Sequence, residues 1–176
     1  MKLGGDHGRR RLVIASTVLG IGLGGFFDGI VLHQILQWHH VISSPVPPDS
    51  IRNLELDTRA DGLFHALTWL VTVIGVFLLA SSDGARHAEG RRKLVGGLVM
   101  GWGLFNLVEG LIDHQILGLH HVRSGHDEVL YDLGFLVWGG LMIVIGLALL
   151  GGPGQAVAAE TDVDADVDGS NGITSG

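Results

Sequence analysis

The chain has 176 residues, about the length of one domain. Apolar residues make up 47 % of it and charged residues only 16 %, against about 25 % charged in soluble domains, so an ordinary soluble globule is excluded. The net charge of −7 argues against a nucleic-acid partner, and the absence of Cys excludes disulfides, thiolate nucleophiles, Cys-type zinc sites and iron–sulfur clusters. Ten His in so apolar a chain require a reason.

Four apolar runs follow in chain order: Leu12–Leu32, Gly62–Ala80, Leu94–Ile112 and Leu133–Leu150. Each is close to the ~20 residues that a helix needs to cross the hydrocarbon core, and none contains Lys or Arg. The expected fold class is an all-α membrane protein with four transmembrane helices. Lys2, Arg9, Arg10 and Arg11 precede the first run, and Arg86, Arg91, Arg92 and Lys93 precede the third. By the positive-inside rule these bases place both termini in the cytoplasm of a multi-pass protein of the cell membrane. A basic N-terminus (1–11) then leads to a first hairpin (12–80), a cytoplasmic loop (81–93), a second hairpin (94–151) and a tail (152–176). The outward loops fall near 41–60 and 122–130. Thr58-x-x-Asp61 and Ser124-x-x-Asp127 resemble caps of the second and fourth helices. The tail carries Glu160, Asp162, Asp164, Asp166 and Asp168 with no base or aromatic residue, a composition expected to be disordered.

The His residues follow an internal repeat. Gly20–Val41 and Gly101–Val122, 81 residues apart, are identical at 11 of 22 positions. Their shared core is [Asp/Glu]-Gly-x-x-x-His-Gln-Ile-Leu-x-x-His-His-Val. The second and fourth helices match more weakly: Asp61 and Val73-Ile74-Gly75 line up with Asp132 and Val144-Ile145-Gly146. The expected architecture is two tandem helical hairpins in a four-helix bundle, related by a pseudo-two-fold axis along the membrane normal. That axis sets His33 opposite His114, His39 opposite His120, His40 opposite His121 and Asp28 opposite Glu109. At ~100° per residue, Asp28, Gly25, Gly29, His33, Leu36, His39 and His40 share one wedge of the first helix, which leaves open whether His39 or His40 faces the interior. Gly25-x-x-x-Gly29 and Gly97-x-x-x-Gly101 are small-x-x-x-small patterns that let helix backbones approach, so the wedge is expected to face inward.

Imidazoles and carboxylates together suit zinc, copper or iron, and His pairs facing one another across a bundle also suit haem. With no Cys and few Met, a copper(I) site is disfavoured. The preferred metal ligands are His33, His114, His40 and His121, with His39, His120, Asp28, Glu109, Asp113 and His65 as further ligands or supports. His33 and His114 are the haem alternative. Gln34 and Gln115 read as hydrogen-bonding supports. Charges inside a bilayer cost roughly 2.5–3.5 kcal/mol each, so Asp28 and Glu109 must be paired, protonated or liganded. Two other functions fit that requirement less fully: a proton or ion transporter working through Asp28 and Glu109, and a structural accessory subunit without a cofactor. No nucleophile-elbow motif and no phosphate-cradling loop is visible, so no catalytic residue is assigned.

At these residues, Phe27–His40 and Asn106–Gln115, the chain resembles a family of prokaryotic four-helix membrane proteins known as domain of unknown function 2243. The resemblance covers about residues 12–150. It implies a membrane protein with copper or haem handling for respiratory oxidase assembly, and oxidase-assembly components as partners beside the lipid bilayer.

Overall fold

The computed structural model describes residues 3–82 and 88–151. The acidic tail, most of the loop after the second helix, and His87 lie outside the described residues. Four long helices carry the chain: α1 (Leu3–Phe27), α2 (Ile51–Ala80), α3 (Ala88–Glu109) and α4 (Glu128–Gly151). Among the described residues there is no strand. The spans long and apolar enough to cross a membrane are His7–Ile35, Ile51–Ala80, Ala88–Ile116 and Glu128–Gly151.

Side-chain burial runs opposite to that of a soluble protein. Five buried apolar residues stand against twelve buried polar or charged ones among the described residues. Leu63, Phe77, Val129, Leu130 and Val144 are each more than 60 % exposed. Such a surface is stable only against hydrocarbon, which makes this a multi-pass membrane protein.

The expected bundle is open. α1 and α3 cross at the centre, α2 lies on α1, α4 lies on α3, and α2 and α4 do not meet. Small residues set the central crossing. A Cβ on Gly20 would run into the Leu98 carbonyl, one on Gly101 into the Thr17 carbonyl, and one on Gly97 into the Ser16 hydroxyl. The flanking helices use the same device at matching places: Gly75 of α2 sits on Leu19, and Gly146 of α4 sits on Met100. With no hydrophobic drive between helices in lipid, close backbone approach supplies the contact.

Both central helices change character near the end opposite the described termini. α1 continues as a π-helix over Asp28–Ile35 and α3 as a π-helix over Gly110–Ile116. The Leu36 and Leu117 amides donate to carbonyls five residues back, Val31 and Ile112, each at 2.8 Å. Each segment then stops on a left-handed residue, Gln37 (φ 50°) in the first and Gly118 (φ 58°) in the second. The following amides, Trp38 and Leu119, reach back six residues to Leu32 and Asp113, one residue further than in a Schellman closure, as a wider π turn requires. The chain then reverses, so His39 and His40, like His120 and His121, lie in folded-back loops and not on straight helix ends. The two loops bind each other: the Ser44 amide donates to the Leu119 carbonyl at 3.0 Å and the Ser124 amide to the Trp38 carbonyl at 3.2 Å.

Helix α2 corrects two expectations. It starts at Ile51, not near residue 60, and its cap is Ser50, whose hydroxyl accepts from the Asn53 amide at 3.3 Å. Thr58 lies inside the helix and donates to the Leu54 carbonyl. The stretch Ile51–Ala60 is polar but rich in helix formers, so it extends the helix beyond its apolar run. α4 starts at Glu128, beside the expected signal, but its first turn is closed by Glu128, whose carboxylate accepts from the Gly125 amide at 2.9 Å.

Candidate metal centre

The two π-helical segments bring acid and imidazole together. Asp28 and His33 are five residues apart, as are Glu109 and His114. On an α-helix such residues stand about 140° apart, whereas a π turn with its i→i+5 bonds puts them on one face. His33 Nε2 lies 2.9 Å from Asp28 Oδ2, and His114 Nε2 lies 3.0 Å from Glu109 Oε1. All four side chains are buried.

The folded-back loops add a second ring from each hairpin. His39 packs on His33 with ring centroids 4.4 Å apart, and His120 packs on His114 at 4.7 Å. His39 and His120 stack on each other at 4.5 Å. Each is held by the opposite loop: His39 Nδ1 donates to the Val122 carbonyl at 2.7 Å, and His120 Nδ1 donates to the Val41 carbonyl at 3.0 Å. A carbonyl only accepts, so these bonds fix the proton on Nδ1 and leave the Nε2 lone pair free. His120 Nε2 lies 2.9 Å from Glu109 Oε1; His39 Nε2 is buried with no partner.

The other two rings face carboxylates of α2 and α4, with a hydrogen bond for His33 only. His33 Nδ1 is 3.1 Å from Asp61 Oδ1, and His114 Nδ1 is 3.4 Å from Asp132 Oδ1. Asp61 also accepts from the Val41 amide at 3.0 Å and from His40 Nδ1 at 2.7 Å. Asp132 accepts from the Val122 amide at 2.9 Å and from His121 Nδ1 at 2.7 Å. Gln34 and Gln115 reach the same two acids, in the supporting role expected of them. His114 Nδ1 stands near Asp132 without a hydrogen bond; the other three inner rings, His33, His39 and His120, hold Nδ1 on an acceptor behind and present Nε2 toward one buried region. That is the arrangement of metal-ligating His, whose second nitrogen is oriented by a carboxylate or carbonyl.

Within this region two sets of ligand atoms lie within 4.8 Å of one another: His33, His39 and His120, and Glu109, His114 and His120. The structure therefore brings together His33, His39, His114, His120, Asp28 and Glu109. It places His40 and His121, first choices on a straight helix, one layer out, against Asp61 and Asp132. The cause is the turn at Gln37 and Gly118, which swings the preceding member of each His-His pair inward. Asp113 is half-buried and outside these sets. His65 is also outside; its Nδ1 donates to the Asp61 carbonyl at 2.7 Å and its ring lies under Gly29.

The residues missed as supports are Asp61 and Asp132, visible in the sequence only as acids that align between α2 and α4, and the carbonyls of Val41 and Val122. Asp57, one turn before Asp61, is fully buried with neither oxygen partnered, and the sequence gives no signal for it.

Burial pushes His39 down to about 2, and the nearby His120 and His33 rings push in the same direction. His39 is therefore neutral in the fold at every ordinary pH, as a ligand must be. Above about 6.5, the ordinary His value, the folded and unfolded forms bind equal protons at this ring and it contributes no pH dependence. Below that value only the unfolded form takes the proton. The His39 contribution to metal-free stability is thus expected to fall as pH drops from about 6.5, with a slope approaching 1.4 kcal/mol per pH unit. Thermal unfolding in detergent between pH 7 and 5 checks this. The wild type should lose more stability on acidification than His39→Phe, and equal slopes would contradict it.

A cavity of about 770 Å³ opens beside the cluster, bounded by Gln34, Trp38, His39, His40, Pro47 and Thr58 among others. His39 borders both the cavity and the cluster.

The model of a family described as predicted membrane protein, domain of unknown function 2243, matches residues 15–152. No curated protein and no solved structure matches significantly.

Proposed function

The chain belongs to this family of predicted membrane proteins, and from that premise we propose that it is a transition-metal-binding protein of the membrane. The ligands are His33, His39, His114 and His120, with Asp28 and Glu109 as the acidic members. One observation carries the reading: the buried, partnerless Nε2 of His39, whose proton is committed to the Val122 carbonyl on the other nitrogen. A buried polar atom without a partner costs about 1–3 kcal/mol, and a cation on the lone pair offsets that cost.

The donors are nitrogen and oxygen with no sulfur, which suits zinc, copper(II) or iron and disfavours copper(I). A metal ion also fits better than haem. His39 and His120 stand between His33 and His114 and stack on each other at 4.5 Å, which leaves no slot for a porphyrin. The transporter reading is favoured less, because Glu109 is committed to two imidazoles, His114 and His120, at 3.0 and 2.9 Å.

The duplicated hairpin belongs to this reading. The two-by-two contacts support it: His39 with Val122 and His120 with Val41, Asp61 with Val41 and Asp132 with Val122. With the basic segments in the cytoplasm, the centre lies at the outer face and the cavity beside His39 opens outward. Copper or iron held there would serve redox chemistry or the assembly of a respiratory oxidase, the role that the family resemblance implies.

The test is elemental analysis and an absorption spectrum of the protein purified in detergent. Stoichiometric zinc, copper or iron without a Soret band is the expected result. Absence of metal after reconstitution with each of the three ions would overturn the reading, and a Soret band would replace it with haem.

A further inference from the structure

The two hairpins are alike in their repeated His motif and unlike beside it. A second cavity, of about 520 Å³, lies between the far end of α1, α3 and α4. Trp38, Trp102, Tyr131 and Trp138 are among its walls, and Asp28 and Asn106 line it as well. In the aligned repeats the four aromatic positions are Leu119, Ile21, Ala60 and Leu67, and Asn106 matches Gly25. The aromatic wall therefore belongs to one side only and does not come with the repeated motif. At the rim Trp138 is 56 % exposed, on a helix that faces lipid, whereas Asp28 and Asn106 are buried. The cavity opens toward hydrocarbon and is polar in its depth. Its volume and lining are those of a small-molecule site, mostly apolar with a few placed polar groups.

Asp28 lies outside both sets of close ligand atoms. Its counterpart Glu109 is hydrogen-bonded to His114 and His120, whereas neither oxygen of Asp28 has a hydrogen bond. At membrane depth no water supplies the missing donor, and an unpartnered carboxylate there is costly. A carboxylate only accepts, so an occupant of the cavity must bring an O–H or N–H. An acyl chain brings neither. The aromatic walls favour a flat ring, stacked or edge-on, and the Asn106 amide can donate or accept beside it. A molecule that enters through the lipid must carry that ring on an apolar body.

We propose that this cavity binds a lipid-soluble hydroxylated ring of the quinol class, with a ring hydroxyl donating to Asp28 and the ring held among the tryptophans. Part of the wall is preformed. Trp38 meets Tyr131 edge-on with ring centroids 5.7 Å apart, and the Arg123 guanidinium lies over both rings. Trp38 comes from the first hairpin and Tyr131 from the second, so the bound ring bridges the two halves. It also sits next to the His cluster, since Asp28 Oδ2 lies 2.9 Å from His33 Nε2. The site uses protein groups alone and stands whether or not an ion occupies that cluster.

The experiment titrates the full chain in detergent with a decyl-tailed benzoquinol under argon. Tryptophan fluorescence is the readout, because three of the four Trp line the cavity. A saturable change is expected. The same compound with both hydroxyls methylated should bind at least about 10-fold more weakly, and so should the quinol to Asp28→Leu, since each loses a hydrogen bond to a charged acceptor. Trp138→Ala, at the exposed rim, should weaken quinol binding while circular dichroism shows unchanged helicity. If Asp28→Leu does not fold, the methylated compound on the wild type decides. No saturable change, or equal affinity for the quinol and its dimethyl ether, would overturn the proposal. Equal competition by 1-decanol would show a slot for any chain and overturn it too. These outcomes leave the metal-binding reading untouched, because elemental analysis decides that separately.

Discussion

Replacing His39 and His120 together by Ala is expected to abolish stoichiometric metal binding, while replacing His40 and His121 together leaves the metal content unchanged. The contrast is sharp because the two pairs are sequence neighbours and both belong to the repeated His-His-Val. They differ in where the chain puts them. His39 and His120 are 3 % and 2 % exposed, stacked at the centre with Nδ1 fixed on carbonyls. His40 and His121 stand behind, each with Nδ1 on an acid that faces an inner ring. Removing an orienting group one layer behind a ligand weakens metal affinity by about 10–100-fold. The His40/His121 variant should therefore still fill when metal is in excess, and the His39/His120 variant should not. Elemental analysis of desalted protein, with circular dichroism to verify helicity, decides between them. Full metal content in the His39/His120 variant would exclude those rings as ligands.

Asp61→Ala is expected to destabilise the protein by about 3–5 kcal/mol, the usual consequence of removing one partner from a buried ionic group. Asp61 is 1 % exposed and accepts from His33, His40, Gln34 and the Val41 amide. Its loss frees the ring of His33 and unties the loop whose Val41 carbonyl fixes His120 on the other hairpin. For a chain of this length the expected loss in Tm is about 6–20 °C. Asp132→Ala should act similarly, since Asp132 holds the Val122 amide and His121. Asp127→Ala, on the exposed loop before α4, is the control and should shift Tm much less. A drop under about 2 °C for Asp61→Ala would show that the acid is not a structural hub.

The four spans were legible because bilayer crossing imposes length and composition together, and runs such as Leu133–Leu150 meet both demands without a Lys or Arg. The gathering of acid and imidazole at one end was legible from the repeat, since a motif carried by both hairpins must lie at equal depth on each. Which ring of each His-His pair points inward was not legible. Reading at 100° per residue assumes an α-helix, but both central helices widen to π turns at Asp28 and Gly110. No Pro marks the change; its sign is the pairing of Asp28 with His33 and of Glu109 with His114 five residues on, a spacing that a 100° reading does not bring together. The reversal that follows had half a signal. Gly118 is a typical helix-ending glycine, but the matching position is Gln37, which adopts the same left-handed conformation without announcing it. The anchoring role of Asp61 and Asp132 depends on loops folding back over α2 and α4, a long-range event that local pattern does not encode. The start of α2 at Ile51 was hidden because polar residues of a helix that projects past the apolar run look like loop.

X-ray absorption at the metal edge of the loaded protein tests the metal centre most directly. The proposed reading predicts a first shell of nitrogen and oxygen at about 2.0–2.2 Å with the outer-shell scattering of at least two imidazoles per ion. A first shell of oxygen alone, without imidazole scattering, would contradict it.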